Sequence, residues 1–299
     1  AFNKNKVKKL ADGLDVLSHM TADNGAASLE SHVGEPMGDW YAYTYKTDAN
    51  GNRIVGTNGL YITDTSVRHK VGNAMPKATG GFGGTISYKN LALTFNFDFR
   101  IGGDVLNLPW QYMMDAGNIK DAVGVRDAAT GGIYYYSDTD KAEDKPSIHI
   151  VNPADVPNYQ RGVTKINGHY VWDNGLIQPG VKEDGTPNDI VVTQFEANDS
   201  QYGWGTGATQ SYAGAIQKNS YVKCREITLA YTLPKTLTRK FHCNNLTVAA
   251  YLRNPFYIYR TLKLFDAEST DGTSWIYQAQ IGGTTATARS FGLTLRANF

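Results

Sequence analysis

The stretch that decides the fold is Leu91–Gly102, which reads LALTFNFDFRIG. Apolar residues alternate along it with polar or small ones, and this period of two is typical of a β-strand with one apolar and one polar face. The preceding segment, 82–89, alternates in the same way, and Tyr88-Lys89-Asn90 supplies a tight turn. The two segments therefore predict a β-hairpin.

Three further segments show the same alternation and bring the number of predicted strands to five. The predicted strands are 79–89, 91–102, 220–233, 245–256 and 288–299. They are longer than the usual globular strand of about 5–6 residues, whereas a tilted strand that crosses a bilayer needs roughly 9–11. Their polar faces carry charged residues, which favours a wet lumen, and their apolar faces are rich in Leu and Phe, which favours lipid.

The connections between these strands are either very short or very long. The long segments are 3–78, 103–219 and 257–287. Structureless loops above about 12–15 residues are rare in soluble domains, whereas outer-membrane barrels alternate short periplasmic turns with long extracellular loops. We therefore predict an all-β chain, a segment of a transmembrane antiparallel β-barrel with these three segments as extracellular loops.

Five strands do not close a barrel. The smallest transmembrane barrels have 8 strands, and an open edge in lipid leaves backbone groups without hydrogen-bond partners. We therefore expect the remainder of the barrel to come from the same or a separate chain, with outer-membrane lipid around it.

Composition excludes several classes of function. The formal net charge of +1 argues against a nucleic-acid partner, and no apolar run approaches the roughly 20 residues of a spanning helix.

The remaining motifs give little sign of chemistry. Cys224 and Cys243 are the only cysteines, and two alternatives stay open for them, a disulfide or two separate thiols. The segment 48–52 resembles part of a calcium loop, but a plain Asn-Gly turn is favoured. No catalytic constellation stands out, so we expect no enzyme, no cofactor and no metal site.

Several motifs resemble one known family. They are VGEPMG at 33–38 with WYAY at 40–43, VGNAMPK at 71–77 leading into GGFGGTISYK at 80–89, YVKCREITLAYTLP at 221–234, YLRNPF at 251–256 and RSFGL at 289–293. With these motifs the chain resembles the C-terminal third of SusC/RagA-like TonB-dependent outer-membrane transporters of Bacteroidetes-type bacteria. Cys224 and Asn254-Pro255 are modest departures from the family pattern.

The resemblance implies a 22-stranded barrel, of which about five strands lie here. It also implies an N-terminal plug, a SusD-like surface lipoprotein as partner, and import of oligosaccharides or peptides driven by TonB. The plug and its TonB-binding segment are not part of this sequence, so contact with TonB would run through the plug. The implied location is the bacterial outer membrane.

Three sets of residues are candidates for function. The candidate lumen-facing substrate contacts are Asp98, Arg100, Glu226, Tyr251, Arg253 and Arg296. The candidate loop contacts are Trp40, Tyr41, Tyr135, Tyr202 and Trp204. Aromatic faces suit glycans or peptides, although the same rings could pack on one another to order the loops. The candidate assembly signal is Phe291, Leu293, Leu295 and the terminal Phe299.

Two other functions remain open at this point. A secreted β-sandwich carbohydrate-binding module or adhesin could use the Tyr- and Trp-rich loops, and it would be soluble without detergent. A β-solenoid or sandwich glycoside hydrolase could use acidic residues such as Asp138 and Asp140. The sequence does not place any carboxylate pair at the separation that glycoside hydrolysis requires.

Overall fold

The structure is a computed structural model that describes residues 1–22, 25–141, 144–203, 210–282 and 285–299. Regular structure in this part is mainly β-strand, which confirms the predicted all-β class. The strands are β1 (Val16–Ala22), β2 (Ala27–His32), β3 (Asp39–Tyr45), β4 (Ile54–Val55), β5 (Thr63–Asn73), β6 (Pro76–Tyr88), β7 (Leu91–Gly102), β8 (Asp104–Asn107), β9 (Ile133–Ser137), β10 (Ile148–Ile150), β11 (Lys165–Ile166), β12 (His169–Ile177), β13 (Val181–Lys182), β14 (Val191–Thr193), β15 (Ile216–Lys218), β16 (Tyr221–Thr232), β17 (Asn245–Arg253), β18 (Tyr257–Arg260), β19 (Gln280–Ile281) and β20 (Ser290–Asn298). The α-helices are α1 (Leu108–Asp115), α2 (Gln194–Tyr202) and α3 (Lys235–Thr238). No helix among the described residues has the length and apolarity needed to cross a membrane.

The long strands form one antiparallel sheet, termed the wall, in the order β20-β17-β16-β7-β6. β18 continues the line of β17 beside the first residues of β16. The predicted strand 245–256 is thus split in two. Asn254 has a left-handed backbone with φ of 49°, and Pro255 has no N–H to donate to a ladder, so the strand breaks between Arg253 and Tyr257.

The register of the wall keeps its polar residues on one face. Glu226 lies opposite Arg253, and Thr228 lies opposite Tyr251. A bulge at Arg225 shifts the pairing of β16 with β7. An extra residue in one strand reverses which positions face each side, so odd-numbered residues before the bulge share the polar face with even-numbered residues after it.

The segments predicted as long loops fold into a second region, termed the loop layer. Its sheets have the orders β1-β2-β3-β5, β15-β8-β19 and β10-β9-β12-β11, and β14 pairs with β12. The sequence analysis placed no strand in these segments. β2 shows why, because residues 27–31 are all buried and leave no alternation to read.

The loop layer has its own hydrophobic core. Leu29, Trp40 and Leu106 are completely buried in one cluster, together with several alanines. The indole of Trp40 donates a hydrogen bond of 3.1 Å to the carbonyl oxygen of Asp104, and thereby ties β3 to β8. The loop layer is therefore packed like a water-soluble domain.

Candidate substrate groove on the polar face

A groove of about 420 Å³ lies on the polar face of the wall. Its lining residues are Glu226, Thr228, Ala230, Thr247, Ala249, Tyr251, Arg253, Thr294 and Arg296. These side chains meet because β16, β17 and β20 are neighbours, and Thr247 lies opposite Arg296 just as Glu226 lies opposite Arg253. Four of the six predicted lumen contacts therefore line one groove.

Hydrogen bonds hold the side chains in place at the end of this groove formed by Glu226 and Arg253. Arg253 Nε donates to Glu226 Oε2 at 2.9 Å, and Thr228 Oγ1 donates to Glu226 Oε1 at 3.1 Å. The Arg253 guanidinium carbon lies 4.9 Å from the centre of the Tyr251 ring. Arg296 forms no ion pair with any residue that the structure describes. Hydroxyls, a ring face and an unpaired guanidinium can bind the hydroxyl, carbonyl or carboxylate groups of a sugar or peptide.

Asp98 and Arg100, the other two predicted contacts, do not line the groove. Asp98 Oδ2 accepts a hydrogen bond of 2.5 Å from Arg225. Arg100 donates to the carbonyl oxygens of Ala74 and Gly102, each at 3.3 Å. Arg100 thus ties the wall to residue 74 of the loop layer. Asp98 bonds within the wall, to an Arg225 side chain that also contacts Glu268.

A partly buried ionic network at this junction was missed in the sequence analysis. Glu268 accepts hydrogen bonds from Lys223 and from Arg225. The Lys223 side chain is 2% exposed, and Glu268 is the carboxylate that pairs with it. Burial favours the neutral acid at Glu268, but the hydrogen bonds from Arg225 and Lys223 outweigh it and hold the pKa of Glu268 below its usual value.

The predicted loop contacts have different surroundings. Trp40 and Tyr135 are completely buried, and Tyr135 stacks on Trp172 with ring centres 5.5 Å apart. Neither presents a surface to a ligand, because each ring fills a core, so the packing interpretation applies to them. Tyr41 is half-buried and stacks on His32 at 4.6 Å.

Tyr202 lines a cleft of about 310 Å³ together with Tyr45 and Arg53. The Arg53 guanidinium carbon lies 4.8 Å from the centre of the Tyr45 ring. This cleft keeps Tyr202 as a candidate contact. Trp204 lies outside the described residues.

The predicted assembly-signal residues lie on the apolar side of the terminal strand or directly after it. Phe291, Leu293, Leu295 and Phe299 are 85%, 80%, 68% and 79% exposed. Large apolar residues of the neighbouring strands are exposed as well, for example Leu252 on β17. Large apolar side chains are therefore exposed on all five long strands of the wall.

Other features singled out in the sequence have simple structural roles. Asp48 Oδ1 accepts the backbone N–H groups of Asn50 and Asn52 at 2.9 and 2.8 Å, as in an Asx turn. No disulfide joins Cys224 to Cys243, both of which are buried. Among the described residues, no group of three or more His, Cys, Asp or Glu side chains is placed to hold a metal ion.

Asp138 and Asp140, the acidic residues of the hydrolase alternative, each face a histidine. Asp138 Oδ2 lies 2.9 Å from His149 Nε2, and Asp140 Oδ1 lies 3.5 Å from His169 Nδ1. Their contacts pair them with imidazoles and do not set the two carboxylates against each other as a catalytic pair.

Comparison with known sequences finds similarity to a TonB-dependent receptor. The chain is 23% identical over 197 residues to the TonB-dependent receptor P3 of Formosa agariphila. The match covers 59% of this chain and 18% of that protein. This similarity confirms the resemblance predicted from the sequence. No protein-family model matches the chain.

Solved structures that the chain matches include the RagAB peptide transporter, at 15% identity and a TM-score of 0.42; the match covers 86% of this chain and 22% of that chain. They also include the RagAB peptide importer in the closed-closed state, at 16% identity and a TM-score of 0.43; the match covers 86% of this chain and 23% of that chain. The chain spans about a fifth of the length of the proteins that it matches.

Proposed function

We propose that this chain is a barrel segment of an outer-membrane nutrient importer of the SusC/RagA type, energised through TonB. The observation that carries the proposal is the wall. Its five long strands have 9 to 13 residues, enough to cross a bilayer at a tilt. One face holds a polar groove, and the other is apolar and uncovered.

The apolar face supports lipid as its natural surroundings. Soluble monomers rarely expose a contiguous apolar patch larger than a few hundred Å². Here apolar side chains on all five strands are exposed, from Ile86 on β6 to Leu293 on β20. Lipid chains would cover this face without any specific partner.

The edges of the wall support a larger barrel. β20 is the last strand in the sheet order, and its free edge needs backbone partners inside a bilayer. The remainder of the barrel, on the same or a separate chain, would supply them, together with the plug that contacts TonB.

The groove supports a cargo with many hydrogen-bonding groups. Glu226, Arg253 and Arg296 offer charges beside threonine hydroxyls and the Tyr251 ring. Oligosaccharides and peptides both present such groups, and both are cargo classes implied by the family resemblance. A SusD-like lipoprotein would cover the loop layer from outside and deliver the cargo.

The experiment expresses the full-length protein in a bacterium with and without TonB. We expect the protein in the outer-membrane fraction, soluble only in detergent and heat-modifiable in gel migration. Uptake of a labelled oligosaccharide or peptide mixture should stop when TonB is deleted. A protein that is soluble and monodisperse without detergent contradicts the proposal and favours the secreted binding module.

A further inference from the structure

A second cavity, termed the upper pocket, lies where β16 and β18 meet the segment 257–287. Its volume is about 490 Å³, within the roughly 300–1,000 Å³ typical of small-molecule sites. Lys223 and Tyr257, which line it, lie opposite each other in the sheet. Lys223 also lies opposite Asp98, so the upper pocket adjoins the polar face of the wall.

The upper pocket has a strong excess of positive charge. Lys223, Arg260, Lys263 and Arg289 line it, and Asp266 is the one carboxylate among its described lining residues. Such a concentration of cations in a concave site raises the local concentration of anions.

The nearby carboxylates are already fully engaged. Asp266 accepts hydrogen bonds from the Tyr257 hydroxyl at 2.5 Å and from the Thr287 backbone N–H at 2.6 Å. Burial alone would raise the pKa of Asp266, but these hydrogen bonds outweigh it and lower the pKa to about 2. Glu268 is held by Lys223 and Arg225.

Three cations therefore remain without a carboxylate. Within the described part of the chain, no Asp or Glu oxygen lies within 4.0 Å of the charged nitrogens of Arg260, Lys263 or Arg289. The Arg260 guanidinium carbon lies 5.5 Å from the centre of the Tyr257 ring, and Lys223 Nζ lies 4.8 Å from it. Both cations thus lie beside the Tyr257 ring at the pocket wall.

We propose that the upper pocket binds an anionic group of the cargo, a carboxylate or sulfate on an oligosaccharide or peptide. The inference rests on the proposed importer function, since it names the chemical class of what that importer carries. Guanidinium groups bind such oxygens in a bidentate manner. An anion leaving the upper pocket would meet Arg253 and Arg296 in the groove on the same polar face.

The test is isothermal titration of the full-length protein in detergent. The first ligand is hexagalacturonate, and its matched neutral ligand is the fully methyl-esterified hexamer. A second pair is a capped triglutamate peptide and a capped triglutamine peptide. We expect at least tenfold tighter binding of the acidic member of at least one pair, weakening as NaCl is raised because salt screens charge.

Variants assign the binding to the upper pocket. Arg260→Gln combined with Arg289→Gln should weaken the acidic ligand at least tenfold, whereas Arg260→Lys with Arg289→Lys should retain most of the binding. Lys240→Gln, which removes an exposed cation next to α3, should have no effect. Heat-modifiable migration verifies that each variant is folded.

The outcomes separate this inference from the proposed function. Preference for hexagalacturonate identifies an acidic sugar, preference for triglutamate identifies an acidic peptide, and either supports the inference. Equal binding of acidic and neutral ligands, or unchanged binding in the Gln double variant, overturns it. TonB-dependent uptake of a neutral cargo alone would overturn the anion-binding inference and leave the importer proposal standing. Anion binding at the upper pocket without TonB-dependent uptake would overturn the importer proposal and leave the anion site standing.

Discussion

The loop layer and the wall place their large apolar side chains in opposite surroundings. In the loop layer Leu29, Trp40 and Leu106 are completely buried. In the wall Phe291 and Leu293 are 85% and 80% exposed. Water drives apolar groups together wherever it can, so the loop layer is suited to water. The apolar side of the wall is suited to a solvent that is itself apolar.

The largest expected effect comes from the core of the loop layer. Trp40→Ala should destabilise this region by about 3–5 kcal/mol, because it leaves a cavity and removes the hydrogen bond to Asp104. Limited proteolysis of outer-membrane vesicles should then cut the loop layer while the wall keeps its heat-modifiable migration. Leu252→Ala is the matched change in the wall, at an exposed apolar residue outside the assembly signal, and it should cost much less because lipid fills the space. Equal losses of stability in the two variants would contradict the distinction between the two regions.

The junction between the regions should give the next largest effect. Glu268→Gln removes the carboxylate partner of the buried Lys223 and one of the two carboxylate partners of Arg225, and it should cost about 3 kcal/mol. Protection of 257–287 from hydrogen exchange should fall. Glu226→Gln, which alters a more exposed ion pair, is the control.

The same carboxylate predicts a pH dependence. The pKa of Glu268 in the folded protein lies below its ordinary value of 4.5. Its contribution is therefore fully present above that value and is lost as pH falls through the lower, folded pKa. The protection factors of 257–287, corrected for the pH dependence of intrinsic amide exchange, should fall on acidification below pH 4.5 in the wild type, and less so in Glu268→Gln. Identical acid profiles would contradict the role given to Glu268.

The apolar face gives a smaller but more specific effect. Leu252→Arg, on the apolar side of β17 and outside the assembly signal, places a charge in lipid and should cost about 2 kcal/mol or more, according to its depth. Ala249→Arg, on the polar side of the same strand, should be tolerated. The measurement is the yield of heat-modifiable protein in the outer membrane. Equal yields of the two variants would argue that the two faces meet the same solvent.

The groove itself should contribute least to stability. The Arg253–Glu226 pair has side chains that are 58% and 32% exposed, so Glu226→Gln should cost less than about 1 kcal/mol. It should instead alter cargo affinity, because it changes the charge beside Tyr251 and Arg253. Calorimetric titration measures the cargo affinity of Glu226→Gln, and thermal unfolding of the same variant measures its stability.

The wall could be predicted from sequence because its signal is local. Alternation along Leu91–Gly102 assigns each side chain to a face without knowledge of any partner strand. The same alternation placed Glu226, Arg253 and Arg296 on one face, and the register brings them together. The bulge at Arg225 lies within an apparently regular strand, so its effect on Lys223 was not foreseen.

The loop layer and its junction could not be predicted because their contacts are distant in sequence. Lys223 and Glu268 are 45 residues apart, and no local pattern joins them. Trp40 and Tyr135 look like ligand contacts in an aromatic loop, yet each is completely buried. Which aromatic residues pack and which remain exposed depends on strands that pair across long segments.

The central claim is that the two faces of the wall meet lipid and water, and cysteine accessibility tests it most directly. Leu293→Cys and Thr294→Cys are compared in intact outer membranes with a water-soluble maleimide, while the buried Cys224 and Cys243 give a low background. The account predicts rapid labelling at position 294, and labelling at position 293 only with a lipid-soluble reagent. Equally rapid water-soluble labelling at both positions would contradict it.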